Sequence, residues 1–458
     1  MTFLNEVRKT AKNAKECIRI LANIETDDSD GGSEYEDEDF FPEEVSDLDD
    51  ENDDENEEDE DEQSNKKIDE CIEAVIHRSI SDQSVGHFDS TADKTSKVGV
   101  VWNTLELDKS KRVINRIKFN GRPGPTAYAA RRVHTTALSA FEWIIDTSII
   151  NFIINSTNQE AKRCNASFRL NIEIFYCFIG VLFCRAVFCN GVAVRALWSR
   201  LYALPIIVEL MSKVLFCKVM RFLRFDEKNT RKTRRSKVKF CLIREVWERF
   251  IINSQKCFNP SQFLTADEQL LQSKSRCSFI QYMSSKPDKF GIKFWNLVDV
   301  KSKYLVNSFP YLGKETDKEA GILQGEYVIK KLMQPFFDLG HCIQQERITI
   351  YNKDKQPLYK SLIFEHDTGA LLTIYQGKAE KNVSVLSTFH DSVYIDPKES
   401  TLLKNKTKVI IDYNEKKVGV NTVDQMTRIY LGKAPSRRWL MQVFYNLLNL
   451  ACINSWVL

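Results

Sequence analysis

The spacing of apolar residues predicts a run of amphipathic helices between about residues 138 and 260. In this part of the chain apolar positions recur every three or four residues, which places them on one face of a helix. Such faces are predicted over residues 141–153, 172–183, 216–225 and 247–251. Because aromatic residues at this spacing are typical of a packed core, we assign most of them to the interior rather than to a ligand site.

The period of the apolar pattern changes after residue 261. Residues 292–299 and 304–309 read as strands joined by a turn at 301–303, and shorter strands are predicted at 348–351, 371–375, 383–387 and 409–413. Helical spacing returns at 327–338, 421–428 and 437–457. Helices followed by strands, a helix, further strands and closing helices predict a mixed α/β domain embedded in helical material.

The first 110 residues follow a different pattern. Residues 1–24 have the spacing of a short amphipathic helix, and residues 68–110 form a weakly patterned connector. Between them, residues 25–67 form an acidic arm that is predicted to be disordered, because 24 acidic and no basic residues lie between Glu25 and Glu62. Three roles for this arm stay open: it binds a basic protein partner, folds back on the body of the protein, or is a solvated tail.

Composition matters mainly through this uneven charge. The chain has 65 basic and 63 acidic residues, so the region outside the acidic arm has 39 acidic residues and a net charge of +26. A strongly basic body favours a phosphate-rich partner such as double-stranded DNA. The 12 cysteines have no Cys-x-x-Cys spacing, which predicts reduced core thiols and no zinc site. The apolar run at 172–184 ends at Arg185 and is too short to span a membrane.

Asp267 is the first candidate for chemistry. It follows the short apolar run 263–266, and the sequence after it, 275–295, is basic and rich in aromatic residues. A carboxylate at the end of a strand, beside a basic hairpin, is typical of one half of a metal-dependent phosphodiester site. The hairpin contains four cations that are predicted to contact DNA phosphates: Arg276, Lys286, Lys289 and Lys293.

An ordered series of motifs resembles the piggyBac family of DNA transposases over residues 100–458. The series contains Thr265-Ala266-Asp267-Glu268-Gln269, Tyr311-Leu312-Gly313-Lys314, residues 416–426, Arg437-Arg438-Trp439 and residues 444–455. The resemblance implies an RNase H-like core at 261–415, interrupted by insertions, with helical DNA-binding and dimerising elements at 111–260 and 416–458. It also implies a nuclear homodimer that cuts and rejoins DNA with a DDE-type set of carboxylates holding two Mg²⁺ ions.

Of the first two acidic positions of that set, one is present in this sequence and one is missing. Asp267 matches the first carboxylate of the family. The second carboxylate has no counterpart, because residues 340–344 run directly into 345–350, as if a strand and a helix were deleted. Neither Asp338 nor Asp354 has the sequence context of the missing residue. We expect the deletion to expose strand edges and to lower stability around Gln344.

The third acidic position is Asn421. An amide keeps the shape and one oxygen ligand but loses the negative charge that holds Mg²⁺. Asp424 lies three residues further along and on the same face of the predicted helix. We therefore predict Asp267 and, more weakly, Asp424 as the remaining metal ligands.

Two basic clusters are further candidates for DNA contact. Residues 228–239 form a dense basic run that fits a nuclear localisation signal, a contact to the DNA backbone, or a solvated loop. The second cluster has Arg437 and Arg438 as phosphate contacts and Trp439 for stacking on a base. The candidate contacts of the first cluster are Arg231, Lys232, Arg234, Arg235, Lys237 and Lys239.

These observations predict a transposase-derived nuclear protein that has lost cleavage and retains DNA binding. Two alternatives stay open: an active Mg²⁺-dependent transposase with a rearranged site, and a protein-interaction scaffold that acts through the acidic arm without DNA. Mg²⁺ is the expected cofactor if any activity remains.

Overall fold

A computed structural model describes the chain from residue 94 onward, with gaps. The described residues are 94–95, 101–105, 119–134, 136–189, 192–199, 204–284, 286–313, 324–339, 341–345, 357–366, 370–378, 381–390, 393–395, 404–429, 432–434 and 436–458. The predictions for the helix at 1–24, the acidic arm at 25–67 and the strand at 348–351 lie outside these residues.

The chain divides into two compact units, the larger of which is Met1–Glu38 with Leu105–Leu458. The boundary at Leu105 lies within the predicted connector. The smaller unit, Asp39–Thr104, contains strands β1 (Lys94–Thr95) and β2 (Val101–Thr104), which pair antiparallel. The remaining description concerns the larger unit.

In the larger unit, the described residues from 127 to 257 are mostly helical, as the apolar spacing predicted for 138–260. Strand β3 (Gly124–Pro125) precedes them and β4 (Phe258–Asn259) follows them, and these two short strands pair antiparallel. No helix among the described residues combines the length and the apolar character needed to cross a bilayer. The helices are α1 (Ala127–Ala130), α2 (Ala137–Ile144), α3 (Thr147–Arg163), α4 (Ile172–Phe188), α5 (Pro205–Leu210), α6 (Lys213–Phe222), α7 (Lys228–Arg235) and α8 (Arg244–Cys257), with a 3₁₀ segment at Val194–Trp198.

Short polar residues fix where several of these helices start. Thr136, Asp146, Asn171 and Ser212 lie at the N-caps of α2, α3, α4 and α6, and each side chain accepts a hydrogen bond from the backbone N–H three residues further on. Each cap satisfies a donor that the first helical turn leaves without a partner. These local hydrogen bonds set the helix starts and add to the apolar spacing from which the helices were predicted.

A mixed sheet follows the helices. Its strands are β5 (Phe263–Gln272), β6 (Ile280–Tyr282), β7 (Phe290–Asp299), β8 (Leu305–Pro310) and β9 (Cys342–Gln345). Strand β7 pairs antiparallel with β5, β6 and β8, and β5 pairs in parallel with β9. Strand β5 therefore lies inside the sheet, with a hydrogen-bonded neighbour on each side.

The rest of the described residues of this unit form an antiparallel sheet and four α-helices. The predicted helix at 327–338 divides into α9 (Gln324–Met333) and a 3₁₀ segment, Gln334–Leu339, where Pro335 lacks the N–H that an α-helix would use. Strands β10 (Ser361–Glu365), β11 (Leu371–Lys378) and β12 (Lys381–Ser387) pair in order. They are followed by α10 (Lys408–Lys416), α11 (Gly419–Ile429) and α12 (Trp439–Val457).

The predicted strand at 409–413 is wrong, because these residues lie in α10. Their β-branched and aromatic side chains favour a strand locally. In the fold Val409, Ile410 and Tyr413 join one apolar cluster with Leu371 and Tyr375 of β11. The free energy gained by burying these side chains against the second sheet exceeds their local preference for a strand, so the segment is helical.

Helices α8 and α12 cover the mixed sheet. Trp247 of α8 is buried against Phe294 of β7, with ring centroids 4.6 Å apart. Asn454 of α12 accepts from the backbone N–H of Leu305 at 2.8 Å and donates to its carbonyl at 3.0 Å, so the side chain replaces a neighbouring strand. These contacts join the helical first part of the unit to the sheet in one core.

Glu160 connects α3 to the end of α6 through buried charges. Its carboxylate is 3.1 Å from Arg224 Nη2 and 2.7 Å from Arg163 Nε. Burial alone raises the pKa of Glu160, but the hydrogen bond from Arg163 and the charges of Arg224, Arg163 and Lys228 outweigh it and lower the pKa to about 2.

We expect this carboxylate to make folding sensitive to acid. A lowered pKa in the folded state stabilises the protein above the ordinary pKa of about 4.5, and this contribution is lost as pH falls toward 2. Glu160→Gln should therefore be less stable than the parent protein near neutral pH by about 3 kcal/mol. Urea unfolding should show that difference shrinking by about 1 kcal/mol at a pH of about 3.5, whereas a constant difference would contradict the assignment.

Candidate functional site

Asp267 lies in the middle of β5, and not at a strand end as the sequence suggested. The strand continues to Gln272, and Asp267 is only 5% exposed, opposite Asn296 of β7. Its Oδ1 accepts a hydrogen bond of 2.7 Å from the N–H of Glu268. Because side chains alternate along a strand, Thr265, Asp267 and Gln269 share one face of the sheet.

Helix α11 packs on that face at very short range. Thr265 Oγ1 donates to the carbonyl of Lys416 at 2.7 Å, just before the helix begins. A Cβ atom built on Gly419 would lie 2.9 Å from Thr265 Oγ1, closer than real Cβ atoms approach other groups. The glycine therefore lets the first turn of α11 contact β5 directly at Thr265, two residues before Asp267.

The two candidate site residues of α11, Asn421 and Asp424, differ in their environment. Asn421 is exposed, whereas Asp424 is largely buried and contacts two groups. Asp424 Oδ1 accepts from Gln269 Nε2 at 3.1 Å, and Asp424 Oδ2 is 3.3 Å from Arg428 Nη2. Arg428 also donates to Asp288 at 2.6 Å, so one guanidinium joins two carboxylates.

The residues described at this site do not fit a pair of Mg²⁺ ions. Mg²⁺ needs near-octahedral oxygen ligands, and two ions need several carboxylates in common. No group of three or more His, Cys, Asp or Glu side chains converges anywhere in the described residues. The carboxylate of Asp424 is already balanced by Arg428, and position 421 supplies an exposed amide.

A short strand lies next to β5, and it is formed by residues at the point in the sequence where a deletion was expected. Cys342–Gln345 forms β9 and pairs in parallel with Phe263–Ala266, so Gln345 lies opposite the residue before Asp267. This stretch of β5 therefore has a neighbour on each side, and β9 ends the described order of the sheet. The expected exposure of strand edges and lower stability around Gln344 stay a prediction. Asp338 falls in the 3₁₀ segment after α9, and Asp354 lies outside the described residues.

The four predicted cations of the β6–β7 region divide into two pairs. Lys286 Nζ donates to the carbonyl of Glu268 at 3.1 Å, and Lys293 Nζ is 2.9 Å from the buried carboxylate of Glu268. These two lysines hold the hairpin against β5. Arg276 and Lys289 are exposed, so their charges face solvent and remain candidates for DNA contact.

The basic run at 228–239 is helical in its first part, and so is not the solvated loop that was one alternative. Arg231 is buried in α7 and bonds Asp226 through two nitrogens, at 2.8 and 3.2 Å. Arg234 donates to the same carboxylate at 2.6 Å and to the carbonyl of Cys241 at 2.9 Å. These two residues, predicted as DNA contacts, instead fix the helix. Lys232, Lys237 and Lys239 are exposed, and Arg235 is half-buried.

The second basic cluster is also partly structural. Arg438 donates to the carbonyls of Met220 and Leu223 at the end of α6, where a cation matches the negative end of the helix dipole. Trp439 is only 7% exposed, and its ring lies 5.0 Å from Phe279 and 5.8 Å from Phe240. The predicted base stacking by Trp439 is therefore wrong, since its faces are covered. Arg437 remains exposed.

The sequence analysis missed Gln269, which is central to this face. Its amide nitrogen donates to Asp424, and its Oε1 accepts from Asn446 of α12 at 3.1 Å and from Asn296 of β7 at 3.4 Å. Asn296 Oδ1 in turn accepts from Ser308 Oγ at 2.6 Å. The available signal was the presence of asparagines inside the otherwise apolar segment 444–455, which predicts partners in the core.

The described residues form a mixed sheet with a buried Asp on its inner strand β5, and the surrounding helices and loops carry exposed cations. The sequence profile of the family described as Transposase IS4, the piggyBac-type family, matches residues 136–348 and 351–456, and the chain belongs to this family. A solved structure, the cryo-EM structure of a piggyBac transposase synaptic complex with hairpin DNA, is 29% identical in sequence, with a TM-score of 0.66. The similarity covers 73% of this chain and 76% of that one, and the fold is therefore like that of a transposase with an RNase H-like core.

Proposed function

We propose that this protein is a piggyBac-type transposase derivative that binds double-stranded DNA in the nucleus and no longer cleaves it. The observation that carries the loss of cleavage is the ion pair between Asp424 and Arg428, together with an exposed amide at Asn421. Asp267 keeps its place on the central strand, but it would face two Mg²⁺ ions without the partners that two-metal chemistry requires.

DNA binding is supported by the cations that the fold leaves exposed. Arg276, Lys289 and Arg437 face solvent, as do three lysines in and after α7: Lys232, Lys237 and Lys239. The pairs of buried Asp226 with Arg231 and Arg234 hold α7 in one orientation, so that Lys232 is presented by a fixed helix and the other two lysines follow its end. The solved piggyBac transposase relative is itself a complex with DNA.

We expect the full-length protein to bind a fluorescent duplex with strong salt dependence. Each phosphate neutralised adds about 0.9 to the slope of log K against log salt. Replacing Lys232, Lys237 and Lys239 together by alanine should lower that slope by about 3. Lys330→Ala is the matched control, because its charge is already paired with Glu326 at 2.7 Å and the slope should not change.

The same reactions with Mg²⁺ test cleavage. We expect no nicking of the duplex by the parent protein, and the same result for Asp267→Ala. Nicking that disappears in Asp267→Ala would show an active site completed by other residues. Absence of binding at any salt concentration would overturn the DNA-binding proposal and favour a scaffold that acts through the acidic arm.

A further inference from the structure

Two large aromatic rings are exposed side by side where β6 and β7 meet the loop that connects them. Tyr282 and Phe290 are directly opposite each other in the strand register, and their ring centroids are 5.0 Å apart with an interplanar angle of 51°. They are 57% and 53% exposed. Large aromatic side chains are usually buried in a folded protein. A cluster of exposed ones is therefore typical of a binding surface.

The pair lies on the face of the sheet that carries Asp267. Phe290, Ile292, Phe294 and Asn296 alternate to the same side of β7, and Asn296 is opposite Asp267. Six residues of strand separate Phe290 from Asn296, a length of about 20 Å. Ile292, Phe294 and Asn296 are buried, so this face is exposed only at the end that carries Phe290.

Exposed cations lie close to the two rings, and the neighbouring segment is anchored in the core. Lys289 precedes Phe290 and is exposed, with a left-handed φ of 47° that turns the chain just before the ring. The N–H of Ser273 donates to the carbonyl of Phe290, which brings the segment with exposed Arg276 alongside. Phe279, in the same segment, is buried against Trp439. The rings are therefore held on a fixed support beside the exposed cations Arg276 and Lys289.

We propose that Tyr282 and Phe290 form a stacking platform for unpaired bases of a bound DNA strand. Aromatic rings interleaved with cations suit single-stranded DNA, because every base has a face for stacking and every nucleotide has a phosphate. In a paired duplex the base faces are covered by their neighbours, so the platform selects ends, mismatches or loops. Because the two rings are tilted relative to each other, each ring stacks on a different base. This inference rests on the proposed DNA binding and adds the form of DNA that is preferred.

The test compares two fluorescent DNAs with the full-length protein at one salt concentration. One is a paired duplex, and the other is the same duplex with a short unpaired extension. We expect the extended DNA to bind about tenfold more tightly, from stacking of one or two bases. Tyr282→Ala with Phe290→Ala should remove this preference and leave affinity for the paired duplex within about twofold.

Matched variants separate stacking from other effects. Phe188→Ala, at a ring on α4 that is 52% exposed, should keep the preference. Lys289→Ala should weaken binding of both DNAs equally, and Tyr282→Trp should keep or increase the preference because the ring is retained. Circular dichroism confirms that each variant folds.

The outcomes distinguish this proposal from the one it rests on. Binding of both DNAs with equal affinity, or a preference that survives loss of both rings, would overturn the platform and leave DNA binding intact. Failure to bind either DNA would overturn both proposals.

Discussion

Asp226→Ala is expected to lower the free energy of unfolding by about 3 kcal/mol or more, because it leaves two guanidinium groups without their carboxylate. Asp226 is buried and lies 2.8 Å from Arg231 and 2.6 Å from Arg234. Removing one partner of a buried ion pair leaves an uncompensated charge in a poorly solvated place, which costs more than the pair itself contributes.

Chemical denaturation of the purified variants measures this effect. Glu248→Ala is the matched control, because its pair with Arg244 is exposed on α8 and should contribute at most about 0.5 kcal/mol. Asp226→Asn should lose an amount of stability between the losses of these two variants, since the amide keeps the shape of the carboxylate and one acceptor oxygen. A loss below about 1 kcal/mol for Asp226→Ala would mean that both arginines find other partners, and would return them to the candidate DNA contacts.

Gln269→Leu is expected to destabilise the protein by about 2 to 4 kcal/mol. The side chain is 1% exposed and joins Asp424 of α11, Asn446 of α12 and Asn296 of β7. Leucine has a similar size but leaves three buried polar groups without this partner. Each such group costs about 1 to 3 kcal/mol, partly offset by apolar burial and local rearrangement.

Gln272→Leu, on the same strand, provides the comparison. Gln272 is half-buried at the end of β5, and its replacement should cost less than about 1 kcal/mol. Equal stability of the two variants would contradict a central role for the Gln269 network. The network also explains why α11 stays on β5 when the metal ligands of the site are incomplete, since amide contacts hold the helix independently of any ion.

Much of the secondary structure followed from local sequence, because its causes are local. N-caps such as Asp146 and Asn171 begin helices through a bond to a backbone group three residues away. The positions of Asp267 and Asn421 in their motifs were also readable from sequence, because a residue's identity does not depend on the fold. The sequence therefore showed an amide, Asn421, at the position where the family resemblance predicts a carboxylate.

The roles of the cations and of Trp439 depended on contacts between distant segments. Arg438 bonds Met220, a residue 218 positions away in the chain, and Trp439 packs on Phe279. A basic or aromatic motif gives the same sequence signal whether its side chains are exposed or buried. Only the packing of α6, α7 and α12 divided the candidates into structural residues and exposed ones.

Sequence by itself determined the helical and strand periods, the acidic arm with its opposite charge to the body, and the identities at the acidic positions, since these are properties of single segments. Tertiary structure decided that 409–413 is a helix, that Asp267 lies inside a strand, and that Asp424 is paired with Arg428. The physical reason is that burial and charge pairing depend on which segments meet, and their energies exceed the local preferences that a sequence pattern records.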